Sequence, residues 1–176
     1  LIDWGVHFLD LINYCIGSPA VRSVSGAAYS KLGKDMKGYV YTDMWAGPPD
    51  YSGTYDVEEF ITGMVRTDGP TITLNGAWAQ NIGENAMFIE FLGDRAGVKL
   101  MYGANFTVYG TKDGMLTELT PKFRMGDMFY EEIDAFLKCA AEGKKIRSHI
   151  DEVLVTAQMM DGLYESAATG REVAYQ

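Results

Sequence analysis

Between Glu59 and Leu119 the chain breaks into short runs of β-branched and aromatic residues, joined by turns too short to cross over a sheet. "EFITGMVRT" is followed by Asp68-Gly69-Pro70 and then by "TITLNGAWAQN". "AMFIEFLG" and "GVKLMY" flank Asp94-Arg95-Ala96, and "NFTVYG" and "MLTEL" flank "TKDG". Parallel neighbours need a crossover of a dozen or more residues, so strands spaced like these pair antiparallel. An earlier run, "VRSVSGAAYS", reads as a further strand. Trp78 falls within one of these strands, where core or interface packing is its expected role.

Helical patterns flank the strands. Asp3 to Ile16 reads as a helix stopped by Gly17 and Pro19. Near the other end, "MFYEEIDAFLKCAAEG" places Phe129, Ile133, Phe136, Leu137 and Ala140 on one face. "SHIDEVLVTAQMMDGLYESAATG" opens at Ser148 with Asp151 three residues later, a weak capping box, and closes at Gly170. This order predicts an α+β fold, with helices packed on one face of a large, mostly antiparallel open sheet. At 176 residues a second full domain would be cramped, so residues 1–176 are expected to form one.

Charge narrows the partners. The net charge is −9, and no basic run is longer than Lys144-Lys145, which argues against nucleic acid and anionic membranes. A small molecule or another protein fits better. No apolar run approaches the ~20 residues that span a bilayer, and no signal peptide is visible, so a cytoplasmic location is expected. The start at Leu1, without methionine, is expected of a piece of a longer chain. Cys15 and Cys139 lie in apolar, helix-like runs and read as small buried hydrophobes.

The opening helix, "LIDWGVHFLDLINYCIG", carries the chemistry. At about 100° per residue, Asp3, His7, Asp10 and Tyr14 share roughly 60° of arc. Trp4, Phe8, Leu11 and Cys15 form a neighbouring apolar stripe continued by Leu9, Ile12 and Ile16, so the helix is expected to be buried over most of its surface. Three readings of the titratable edge stand side by side. It is a solvated face with Asp3 as the N-cap. It is a metal site, which would want a further ligand when the only other histidine is His149, best read as a surface residue. Or it is an acid–base pair, in which a carboxylate one turn from an imidazole raises its basicity.

The same stretch resembles a known family. "DWGVHFLDL" resembles the D-x-G-x-H-x-x-D motif of the Gfo/Idh/MocA oxidoreductases (glucose–fructose oxidoreductase, inositol dehydrogenase, rhizopine catabolism). "YDVEEFITGMVRTDGPTITLNGAWAQ" is similar to that family's central strand pair, and "FLGDRAGVKL" to its G-x-x-G hairpin. "FYEEIDAFLKCAAEGK" and "QMMDGLYESAATGREV" resemble its closing helices.

The resemblance implies the substrate-binding and oligomerisation half of a two-domain, NAD(P)-dependent sugar or polyol dehydrogenase. His7 would be the general base that takes the hydroxyl proton while hydride leaves for nicotinamide. Asp3 would orient His7 or the substrate hydroxyls, and Asp10 would contact substrate or support the helix. The family's glycine-rich dinucleotide turn and E-K-P lysine segment are absent from these residues. NAD or NADP is therefore expected in the full-length protein and not on this chain alone, which is expected to be inactive in isolation. No metal is implied. The family's sheet commonly forms the oligomer interface, so a homo-oligomer is expected.

Residues 33–55 show no clear period and carry Tyr39, Tyr41, Trp45, Tyr51 and Tyr55. Aromatic faces suit sugar stacking, so Trp45 and Tyr51 are candidate substrate contacts; a surface excursion packing its own aromatics is the alternative. Lys99, Arg66 and Arg124 are possible substrate contacts that nothing singles out. A binding or assembly domain without catalysis remains the second functional reading.

Overall fold

The structure, a computed structural model, describes residues 1–38, 50–84, 86–103 and 105–176. They form two compact units, residues 1–82 with 148–176, and residues 83–147. The fold is α+β, and every described strand pair is antiparallel, as the short turns predict. The strands divide between two four-stranded sheets.

The first unit contains α1 (Gly5–Ile16), β1 (Val21–Tyr29), a 3₁₀ turn (Gly33–Gly38), β2 (Phe60–Thr67) and β3 (Thr71–Ala77). It is completed by α3 (Ile150–Thr169) and β8 (Val173–Ala174), and its sheet order is β3-β2-β1-β8. Register places Val24, Gly26 and Ala28 beside Val65, Gly63 and Ile61, and these in turn beside Ile72, Leu74 and Gly76. Successive residues of a strand face opposite ways, so these nine share one face. The opposite face, with Ser23, Ser25, Thr62, Arg66, Thr71 and Asn75, is largely polar.

Helix α3 crosses β1 on the apolar face, and α1 packs on α3. Thr156, Met159, Gly162, Leu163 and Ser166 are the buried stripe of α3, at helical spacing. The core is Leu9, Val21, Val24, Ile61, Val65, Ile72, Met159 and Leu163. The helix comes close because it crosses where side chains are missing. A Cβ on Gly162 would lie 2.9 Å from Val24 Cγ2, and one on Gly63 2.4 Å from Leu163 Cδ2.

One polar contact completes that crossing. Strand β8 pairs with β1 only at Ser23 and Val24, so the Gly26 N–H has no ladder partner on that side. It donates instead to Ser166 Oγ at 2.9 Å. Ser166 is buried, so Ser166→Ala strands a backbone donor and should lower stability by about 1–3 kcal/mol. The check is a urea midpoint that falls with the slope unchanged.

The second unit contains β4 (Phe88–Leu92), β5 (Ala96–Met101), β6 (Phe106–Lys112), β7 (Met115–Leu119) and α2 (Met128–Glu142), with sheet order β4-β5-β6-β7. Lys112 pairs with Met115 across a two-residue turn, Asp113-Gly114, whose φ values are both positive at 52° and 76°. That is the mirror-image turn matching strand twist, and Asp-Gly is among its preferred pairs. The Asp127 side chain caps α2 by accepting the Tyr130 N–H at 3.1 Å.

Several expectations need correcting. Helix α1 begins at Gly5 with Trp4 as its cap residue and no side-chain cap bond, so Asp3 is not the N-cap. Its buried residues are Leu9 and Asn13, with Ile12 and Ile16 half-buried, whereas Trp4 and Cys15 are exposed. Helix α3 is capped by His149, whose Nδ1 accepts the Asp151 N–H at 3.3 Å, and not by Ser148. The face of α2 bearing Phe129, Ile133, Phe136 and Leu137 is exposed. Trp78 lies just past the end of β3.

Candidate functional site

Helix α1 presents its polar edge because its other side is committed to α3. Leu9, Ile12, Asn13 and Ile16 face the core, and Gly17 ends the helix in the left-handed conformation at φ 82°, its N–H returning to the Asn13 carbonyl. His7 falls on the outer side and is exposed. Its ring meets Trp4 edge-on, with centroids 6.5 Å apart, and no described side chain is hydrogen-bonded to it. Asp10 follows three residues later on the same face and is half-buried. Asp3 lies in the turn before the helix and is exposed.

Behind Asp10 runs a chain of polar side chains that the sequence did not reveal. Thr156 Oγ1, from α3, donates to Asp10 Oδ1 at 3.3 Å. Asn13 Nδ2 donates to Thr156 Oγ1 at 2.9 Å and lies 3.5 Å from Met159 Sδ. Asn13 and Thr156 are each 1% exposed. No periodicity signals such a network, since Asn13 and Thr156 stand 143 positions apart.

Two adjacent glutamates organise the surroundings of the α1 start. Glu58 accepts the Tyr164 hydroxyl at 2.9 Å. Burial, then the Glu58 hydrogen bond, pushes Tyr164 up to about 12, so its hydroxyl stays protonated as a donor. Glu59 is 4% exposed. It accepts the backbone N–H of Lys31, that of Gly33 at 3.3 Å and the Tyr55 hydroxyl at 3.4 Å. A Cβ at Gly33 would sit 2.0 Å from the Tyr55 ring, so only glycine admits that ring. Tyr55 also packs against Trp78, centroids 6.0 Å apart, and Trp78 Nε1 donates to the Glu58 carbonyl at 3.3 Å.

The remaining candidates scatter. Tyr51 is exposed, with Lys37 Nζ 5.6 Å from its ring centre. Trp45, Tyr39 and Tyr41 lie outside the described residues. Arg66 pairs with Glu172 on the sheet's polar face, Lys99 lies 3.6 Å from Glu90 in the second unit, and Arg124 is exposed. Among the described residues no three His, Cys, Asp or Glu side chains are placed to hold a metal ion. No described helix is long and apolar enough to cross a membrane.

Comparison with known proteins agrees with the motif on α1. Residues 1–175 match the model of the C-terminal α/β domain of the Gfo/Idh/MocA oxidoreductase family. The chain is 30% identical over 177 residues to the D-glucoside 3-dehydrogenase of Escherichia coli (strain K12), covering 98% of this chain and 48% of that protein. An aldose–aldose oxidoreductase from Caulobacter crescentus, solved with glycerol, superimposes with a TM-score of 0.71 at 16% identity, over 97% of this chain and 46% of that one. An oxidoreductase from Agrobacterium radiobacter, solved with NAD+, L-tartaric acid and magnesium, gives 0.63 at 18% identity, over 98% and 48%. The chain thus spans about half the length of these relatives. With the family's domain matched from Leu1 to Tyr175, this chain belongs to the Gfo/Idh/MocA oxidoreductases, as their C-terminal α/β domain.

Proposed function

We propose that this domain binds the sugar and moves the proton in an NAD(P)-dependent oxidation of a sugar or polyol hydroxyl, with His7 as the general base. The observation that carries the reading is His7 itself. It stands exposed and bonded to no described side chain, on the outer edge of a helix whose other side is fixed in the core, in the stretch that resembles the family motif. A base must reach the proton it removes, and no described side chain stands between the His7 ring and solvent-borne substrate. Asp3 orients His7 or a sugar hydroxyl, Asp10 accepts a second hydroxyl, and Tyr51 and Trp45 are stacking candidates. Named relatives that act on glucosides and aldoses support a sugar.

A nicotinamide cofactor, when bound, supplies the hydride acceptor. In this reading the residues of this chain act on the sugar side of the reaction. A homo-oligomer stays part of this reading; one face of the second sheet carries exposed Leu92, Tyr109 and Leu116 among Glu90, Lys99 and Glu118. A binding domain without chemistry is the second reading, favoured by the absence of a described carboxylate bonded to His7.

The test is an assay of the intact protein with NAD or NADP and a panel of D-glucosides and free aldoses. The expected outcome is nicotinamide reduction matched mole for mole by oxidised sugar: a ketosugar from a glucoside, a ketosugar or an aldonolactone from a free aldose. No reduction with any of them would leave the binding-domain reading standing.

A further inference from the structure

We propose that Thr156 and Asn13 are positioning residues, which hold the Asp10 carboxylate in one orientation for the sugar; this rests on the reading of the α1 edge given above. The direction of the hydrogen bonds follows from their chemistry. An ionised carboxylate only accepts, so the single hydroxyl hydrogen of Thr156 goes to Asp10 Oδ1, 3.3 Å away. Thr156 Oγ1 must then accept from Asn13, which places the amide nitrogen towards it at 2.9 Å. That nitrogen also faces Met159 Sδ at 3.5 Å, and Asn13 Oδ1 is buried without a hydrogen-bond partner among the described residues.

Stability does not account for this arrangement. Both residues are buried among Leu9, Met159 and other core side chains, and one acceptor is orphaned. Two apolar residues of the same shape would remove the orphan and keep the packing, an exchange that is commonly neutral or stabilising. What the polar pair supplies is a fixed direction. With Oδ1 held from behind by a donor that is itself buried from water, the carboxylate is biased towards one orientation. Oδ2, bonded to no described group, remains to accept one sugar hydroxyl. Held geometry of this kind lowers the entropy lost on binding. In this way α3, which carries none of the motif, shapes the substrate face of α1.

The test compares variants of the intact protein with NAD or NADP and the best D-glucoside or aldose of the panel. Thr156→Val is expected to raise KM about tenfold, the scale of one hydrogen bond to a charged group, with kcat within about threefold. Thr156→Ser should restore KM. The double variant Asn13→Leu/Thr156→Val should keep or raise the melting temperature while showing the same high KM. A folded Thr156→Val protein with wild-type KM, or a double variant that melts several degrees lower, would overturn the proposal. Asp10→Ala separates the two levels. If it raises KM while Thr156→Val does not, only the positioning role fails. If it leaves KM unchanged, or if the wild-type protein turns over none of the panel, the reading of the α1 edge fails and the positioning role with it.

Discussion

His7→Ala in the intact protein is expected to lower kcat for sugar oxidation by about 10²- to 10⁴-fold, the range supplied by a positioned general base. The loss belongs in kcat because an alcohol cannot release hydride while its oxygen still holds the proton. KM should move little, since Asp3, Asp10 and the aromatic side chains remain to bind the sugar. The variant's residual rate should climb with pH, as hydroxide takes over the missing step. Folding is a poor alternative explanation for a loss of that size. His7 is exposed and bonded to no described side chain, so its removal should change stability by no more than about 0.5 kcal/mol. Turnover within threefold of wild type would sink the general-base role. Binding of the sugar would then have to be measured without turnover.

The parts of this molecule legible in the sequence are those that local chemistry decides. Asp113-Gly114 between two alternating runs requires a tight hairpin, and the structure places positive φ at both. The strand order within each hairpin follows from turn length in the same way. The exposed edge of α1 was visible because His7 and Asp10 are three residues apart on a helix. Its buried face was not. Trp4, Phe8, Leu9, Leu11, Ile12, Cys15 and Ile16 spread over most of the circumference, so periodicity had no minimum from which to choose Leu9 and Ile12 over Trp4 and Cys15.

Residues defined by distant partners were illegible for a different reason. Asn13 and Thr156 are polar residues in an apolar interface, and each makes sense only beside the other. Glu59 reads as one of a charged pair ahead of a strand, yet it is buried because three donors from residues 31, 33 and 55 converge on it. Strand β8 is two residues long, too short for any alternation to show. The division of the strands into two sheets is likewise absent from any local pattern, because it depends on which strands fail to pair.

The largest stability effects should come from the hollow that Leu163 fills. Leu163 is fully buried, and Leu163→Ala should cost about 2–5 kcal/mol, the lost transfer energy plus a cavity. The reverse error, crowding the hollow, should cost about 1–3 kcal/mol. A Cβ at Gly26 would lie 2.9 Å from Leu163 Cδ2 and 3.2 Å from the Thr62 carbonyl, and one at Gly63 2.4 Å from Leu163 Cδ2 and 2.8 Å from the Ser25 carbonyl. The two glycines therefore predict different cycles. In a Leu163→Ala background, Gly26→Ala loses its closest clash but keeps the Thr62 and Leu163 carbonyls at 3.2 and 3.4 Å, so its cost should fall without vanishing. Gly63→Ala should remain costly there, because the Ser25 carbonyl is backbone and does not move aside. Sites that do not share a contact add to within about 0.5 kcal/mol. Denaturation midpoints for the three single and two double variants decide the matter. If Gly26→Ala costs the same with and without Leu163, then Leu163 is not what keeps side chains out of the Gly26–Gly63 pair. The seating of α3 on β1, and with it the placement of Thr156 behind Asp10, would then need another cause.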